Sequence, residues 1–219
     1  MTRALGIFAG AALILLYATL LLVVMPTVQI RAGITPPEGL APYTKAEQRG
    51  RDLYVSLGCV YCHSQQPRDP KQAPDGARGW GRPSVPADYY YDEPHLLGTM
   101  RTGPDLLNIG ARQPSVDWHL THLYQPRAVV PGSTMPAYPF LFDLTDVVVA
   151  DDKVVKLPED YQPVGATVVA RPGAMDLVAY LKSLDRTYPV SEIPTEPATE
   201  AASDVVVDQA TGDSETNDE

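Results

Sequence analysis

Apolar and polar positions divide the chain into stretches of different character. From Ala4 to Met25 the run ALGIFAGAALILLYATLLLVVM carries no charge. At about 22 residues it exceeds the roughly 20 that cross a bilayer as a helix. Arg3 and Arg31 flank it, and Pro26 is expected to end the helix. A cleaved secretory signal would have a shorter apolar region followed by a small-x-small cleavage site. The following PTVQIRAG offers no such site, so residues 1–30 read as an uncleaved, single-pass membrane anchor. The balanced arginines leave its orientation open.

Residues 31–43, RAGITPPEGLAPY, are punctuated by Pro and Gly and read as an extended linker. Thr44-Lys45-Ala46-Glu47 has the form of a capping box. Gly50, Leu53, Tyr54 and Leu57 then recur at helical spacing, with Gly58 suited to the C-terminal turn. Residues 64–104 lack periodicity and are rich in Pro, Gly and Tyr, which predicts ordered loop. Ser115 is expected to cap a short helix reaching about Tyr124. Alternation in VVVADDKVVKL and ATVVARP predicts a small β-hairpin insertion over about 143–172. Leu177, Tyr180, Leu181 and Leu184 mark a last helix over roughly 174–184. The expected fold is mainly α, with the globular part spanning 44–190.

Charge changes the picture only at the C-terminus. The formal charge of −10 arises almost wholly from Glu192, Glu196, Glu200, Asp204, Asp208, Asp213, Glu215, Asp218 and Glu219, with no cation after Arg186. Residues 191–219 therefore read as a disordered acidic tail, and the body is close to neutral. Nothing resembles a basic patch for nucleic acid.

Candidate chemistry centres on the only two cysteines. Cys59-Val60-Tyr61-Cys62-His63 is the C-x-x-C-H pattern of c-type haem attachment. Two thiols at this spacing can each form a thioether with one vinyl group of a single porphyrin, and the adjacent imidazole then reaches the iron. A thioredoxin-type redox pair would sit in a βαβ pattern, and a zinc site would need more ligands. One covalent haem c is therefore expected, held by Cys59 and Cys62, with His63 as an axial ligand. For the other axial position, Met100, Met135, Met175, His95, His119 and His122 all lie downstream. Met135 is preferred, because the prolines of Pro131-Gly132-Ser133-Thr134-Met135-Pro136-Ala137-Tyr138-Pro139 stiffen its loop. Asp92, Glu93 and His95 form a short polar cluster that reads as solvated loop.

A helix before C-x-x-C-H, the Gly103-Pro104-Asp105-Leu106 segment, a Met-Pro loop and a final helix with an aromatic resemble a class I cytochrome c. That resemblance implies that the Pro104 carbonyl orients His63 and that Gly50 and Tyr180 lie where the first and last helices cross. Over roughly 45–140, GRDLYVSLGCVYCHSQ, RTGPDLLNIGAR, WHLTHLYQPR and VVPGSTMPAYP are similar to the monohaem subunit II of cbb3-type cytochrome c oxidases. This implies a partner, the haem–copper catalytic subunit that reduces oxygen. It also suggests contact with another cytochrome c subunit or a soluble cytochrome donor. The chain itself would transfer electrons and have no catalytic site. Arg101 and Arg112 are candidates for pairing with haem propionates or a partner surface. Alternative readings are the small cytochrome subunit of a nitric oxide reductase, a stand-alone tethered carrier and a haem-based gas sensor. Because c-type haem is attached outside the cytoplasm, the haem domain is expected on the periplasmic face of a bacterial inner membrane.

Overall fold

The computed structural model describes residues 2–190. The acidic tail expected over 191–219 lies outside the described residues.

The N-terminal rod consists of helix α1 (Thr2–Thr19), a π-helical turn (Leu20–Val24) and helix α2 (Met25–Gly33). The mean hydropathy of the most apolar stretch within Arg3–Gln29 is 2.7, and none of that stretch is buried within the protein. Its length and composition suffice to cross a membrane. The helix does not end at Pro26, contrary to expectation. Proline lacks an amide hydrogen and crowds the carbonyl four residues earlier. The π turn just before it re-registers the hydrogen bonds: Met25 N donates to Leu20 O, and Thr27 Oγ1 donates to Val23 O at 2.6 Å. The extended linker consequently starts after Gly33.

Helix α3 (Lys45–Ser56) begins with the expected capping box. Thr44 Oγ1 accepts from Glu47 N at 3.3 Å, and Glu47 Oε2 accepts from Thr44 N at 2.7 Å. Its buried face crosses helix α6 (Pro172–Ser183). Glycine at 50 is required by that crossing, since a Cβ there would lie 1.9 Å from Asp176 O and 2.8 Å from Tyr180 Cβ. Tyr54 packs edge-on to Tyr180 at 5.5 Å, and Arg49 forks onto Asp176 with two 2.7 Å bonds. Gly50→Ala is expected to destabilise the protein by about 1–3 kcal/mol through overpacking. Denaturant unfolding of the variant checks this, and wild-type stability would contradict the close crossing.

Helix α4 (Ile109–Arg112), which periodicity did not reveal, abuts the end of α6, with Gly110 N donating to Leu184 O at 2.9 Å. Helix α5 (Val116–Tyr124) is capped by Ser115, whose side chain accepts from Trp118 N. Leu120, Leu177, Val178, Tyr180 and Leu184 form the centre of the core. The 64–104 segment has no strand or α-helix; its order comes from buried carboxylates. Asp88, for example, takes two bonds from Arg82 and others from Val85 N and Tyr188 Oη. Asp92 is likewise engaged by Tyr43 and Arg51.

The sheet has two antiparallel strands, β1 (Phe142–Thr145) and β2 (Thr167–Ala170), with Phe142 opposite Ala170 and Thr145 opposite Thr167. ATVVARP thus supplies a strand, but its partner is FDLT rather than VVVADDKVVKL. Within the latter only Val154 makes an isolated bridge, to Val169. Val147–Val149 are exposed and closed into a turn by Asp152, which accepts from Val149 N at 2.8 Å. An Asx-type bond there outcompetes a ladder.

Candidate functional site

Gly58 closes α3 with a φ of 77°, and the chain enters a 3-10 turn over Cys59–Tyr61. Cys62 N and His63 N both donate to Cys59 O, at 3.1 and 3.0 Å. This tight turn places Cys59, Cys62 and His63 on the wall of one cavity. Both thiols are free; Cys62 is exposed and Cys59 half-buried. Burial pushes the Cys59 thiol up to about 11, so it stays protonated.

A second stretch of backbone runs alongside this turn. Gly103 N donates to Cys62 O at 2.9 Å, and Leu106 N donates to Ser64 O at 2.8 Å. Between these two bonds, His63 Nδ1 lies 2.7 Å from Pro104 O. A carbonyl only accepts, so Nδ1 carries the hydrogen and Nε2 is left with its lone pair. Burial pulls the His63 pKa below its ordinary value, against an upward pull from the Pro104 carbonyl. Gly103 makes room for the ring: a Cβ there would lie 2.3 Å from His63 Cε1 and 2.7 Å from Nδ1. Sequence reasoning quoted Gly103 only as part of a motif and gave it no role, because the close approach is tertiary.

The cavity encloses about 510 Å³, inside the roughly 300–1,000 Å³ range of small-molecule and cofactor sites. Met135 lines it too and packs against the apolar core. Its loop is pinned at both ends: Met135 N donates to Ser133 Oγ at 3.2 Å, and Tyr138 N donates to Leu123 O at 2.9 Å. The rival ligands separate clearly. Met100, Met175 and His95 do not line the cavity, and Met100 is 58% exposed. His119 and His122 do line it. His119 Nε2 is engaged with Gln113 O at 2.8 Å, whereas His122 Nδ1 is buried without a protein partner. His122 stacks flat on Trp118 at 4.7 Å, and burial lowers its pKa to about 4. The i, i+4 spacing of Trp118 and His122 is the signal in the sequence for this stack.

The two arginines have different surroundings. Arg112 lines the cavity; one of its terminal nitrogens donates to Asp105 O, while its Nε is buried with no protein partner. Arg101 does not line the cavity and sits in a polar network with Ser64, Gln66 and Asp75. Among the described residues, no group of three or more His, Cys, Asp or Glu side chains could hold a separate metal ion.

The site therefore gathers two thiols, an imidazole with a free Nε2, a thioether and apolar walls. Arg112 and His122 add unpartnered polar atoms. Such a set fits a macrocyclic iron cofactor that has vinyl and carboxylate substituents. Among comparisons with known proteins, a family model described as cytochrome c oxidase, mono-heme subunit/FixO, matches residues 1–162. No curated protein matches the chain.

Proposed function

The chain belongs to the mono-haem subunit family of cytochrome c oxidase, and from that premise we propose that it is the electron-entry subunit of a cbb3-type terminal oxidase. The observation that carries the reading is the single cavity wall shared by Cys59, Cys62, His63 and Met135. Cys59 and Cys62 would hold one haem c through thioethers, and His63 Nε2 and the Met135 sulfur would ligate its iron. The globular part is a class I cytochrome c-like domain, a reading supported by the α3–α6 crossing at Gly50 and Tyr180.

When bound, the haem supplies a one-electron iron couple. The chain's residues determine how that couple behaves. Pro104 O keeps the hydrogen on His63 Nδ1, which leaves the Nε2 lone pair available for iron and raises its basicity. The Met135 thioether, a soft ligand, favours the reduced metal and raises the potential. With His63 and Met135 both ligating, the iron would have no open position for oxygen, and the chain would pass electrons only. Arg112 Nε and His122 Nδ1, buried on the cavity wall without protein partners, would be available to the polar groups of the haem. The anchor confines the domain to the membrane surface, which raises its effective concentration at the next acceptor. That acceptor is the haem–copper catalytic subunit, where oxygen is reduced. Because c-type haem is attached outside the cytoplasm, the domain faces the periplasm.

Extraction in mild detergent tests the assignment. The chain is expected to co-purify with a large multi-helix subunit carrying b-type haem and copper. Recovery only as a stable, isolated monomer would overturn it.

A further inference from the structure

The bond between His63 and Pro104 is flanked by a clamp that no part of the haem chemistry requires. One residue downstream on both backbone segments, Ser64 Oγ donates to Asp105 Oδ2 at 2.6 Å. Ser64 follows His63 directly and Asp105 follows Pro104 directly, so this bond ties the two backbones together beside the bond that matters. The same Asp105 Oδ2 accepts from Gln66 N at 2.7 Å, and Oδ1 accepts from Leu107 N at 2.9 Å. Arg101 closes the assembly. Its Nε donates to Ser64 Oγ at 2.9 Å, and its two terminal nitrogens donate to Asp75 Oδ1 and Gln66 O, each at 2.7 Å. One of those terminal nitrogens also lies 3.7 Å from Asp105 Oδ2. The guanidinium rests 5.5 Å from the Trp80 ring centroid. The Asp75 and Asp105 side chains are fully buried, and Arg101 is partly buried.

Buried ion pairs of this kind add little net stability compared with apolar packing, because desolvation offsets the attraction. What they supply here is geometry. We infer that Ser64, Arg101 and Asp105 are positioning residues that hold the Pro104 carbonyl on His63 Nδ1 and so set the reduction potential of the haem. This deepens the proposed function and rests on His63 being the ligand. It also gives Arg101 a role different from propionate pairing, since its donors are engaged inside the protein.

The two ways these residues could act differ in sign at Arg101, whereas at Asp105 both raise the potential. A firm bond from Nδ1–H to a carbonyl makes the imidazole a stronger donor and favours the oxidised metal, so loosening it raises the potential. A pure field effect follows charge: losing the Arg101 cation lowers the potential, and losing the Asp105 anion raises it. Ser64→Ala changes no charge at all.

The test measures the potential of the full-length, haem-loaded chain in detergent for Ser64→Ala, Arg101→Gln, Arg101→Lys and Asp105→Asn. All four are expected to shift upward with the haem still covalently bound. Arg101→Lys should move with Arg101→Gln because it keeps the charge but not the planar fork. Amide exchange at Gly103 and Leu106 should accelerate about tenfold in Ser64→Ala, through local opening. A downward shift in Arg101→Gln with no change in Ser64→Ala would overturn the clamp and leave the functional reading intact. A wild-type chain without covalent haem would overturn the functional reading and the clamp with it.

Discussion

Replacing Cys59 and Cys62 together with alanine is expected to remove all haem that survives denaturation, while each single variant keeps one thioether. The expectation follows from the wall of the cavity. The 3-10 turn over Cys59–Tyr61 and the Cys62 that follows it place both thiols on the wall of one cavity, and neither is engaged in a disulfide. Spectra of the undenatured double variant should show whether His63 and Met135 alone retain any haem; after denaturation none should remain on the chain. Haem-dependent peroxidase staining of denatured protein is the measurement. Persistent stain in the double variant would show that the group is attached elsewhere, and the functional proposal would fall with it.

Met135→His is expected to lower the reduction potential by on the order of 0.1 V or more, within the roughly 0.8 V that axial ligation commands. Imidazole nitrogen favours the oxidised iron more than a thioether does. The haem should remain bound, since the thioethers to Cys59 and Cys62 are untouched. Carbon monoxide provides a second check. The reduced wild-type protein should not bind it at neutral pH, because both axial positions are filled, whereas Met135→Ala should. If Met135→His leaves the potential unchanged, Met135 is not the ligand. His122 would then take its place, since it lines the same cavity and its Nδ1 has no other partner. Carbon monoxide binding to the wild type would favour a sensor with a vacant or labile position.

The parts of this protein legible in its sequence are those determined by local physics. The capping box at Thr44 and Glu47 and the Ser115 cap each involve residues three apart, and both form as expected. The anchor follows from an uncharged run of sufficient length. Two expectations failed where a local signal was overridden. Pro26 does not stop the helix, because a π turn and the Thr27 hydroxyl rearrange the bonds that proline disturbs. Val147–Val149 do not form a strand, because Asp152 offers the backbone a local alternative. The strand that does form, FDLT, is too short for its alternation to stand out.

By itself, then, the sequence determined which candidate groups lie close together along the chain. Cys59, Cys62 and His63 fall within five residues, the spacing on which the haem proposal starts. It also determined the apolar anchor and the stiff loop that carries Met135. Only the tertiary structure decided how those groups are poised. Pro104 meets His63 across a separation of 41 residues, and Gly103 must lack a side chain because the imidazole lies against it. Arg101 and Arg112 are alike in sequence, yet one is locked into a buried network and the other borders the cavity with an unpartnered nitrogen. The physical reason is the same in each case. Covalent proximity is written in the order of residues, whereas burial and the pairing of donors with acceptors depend on which distant segments pack together.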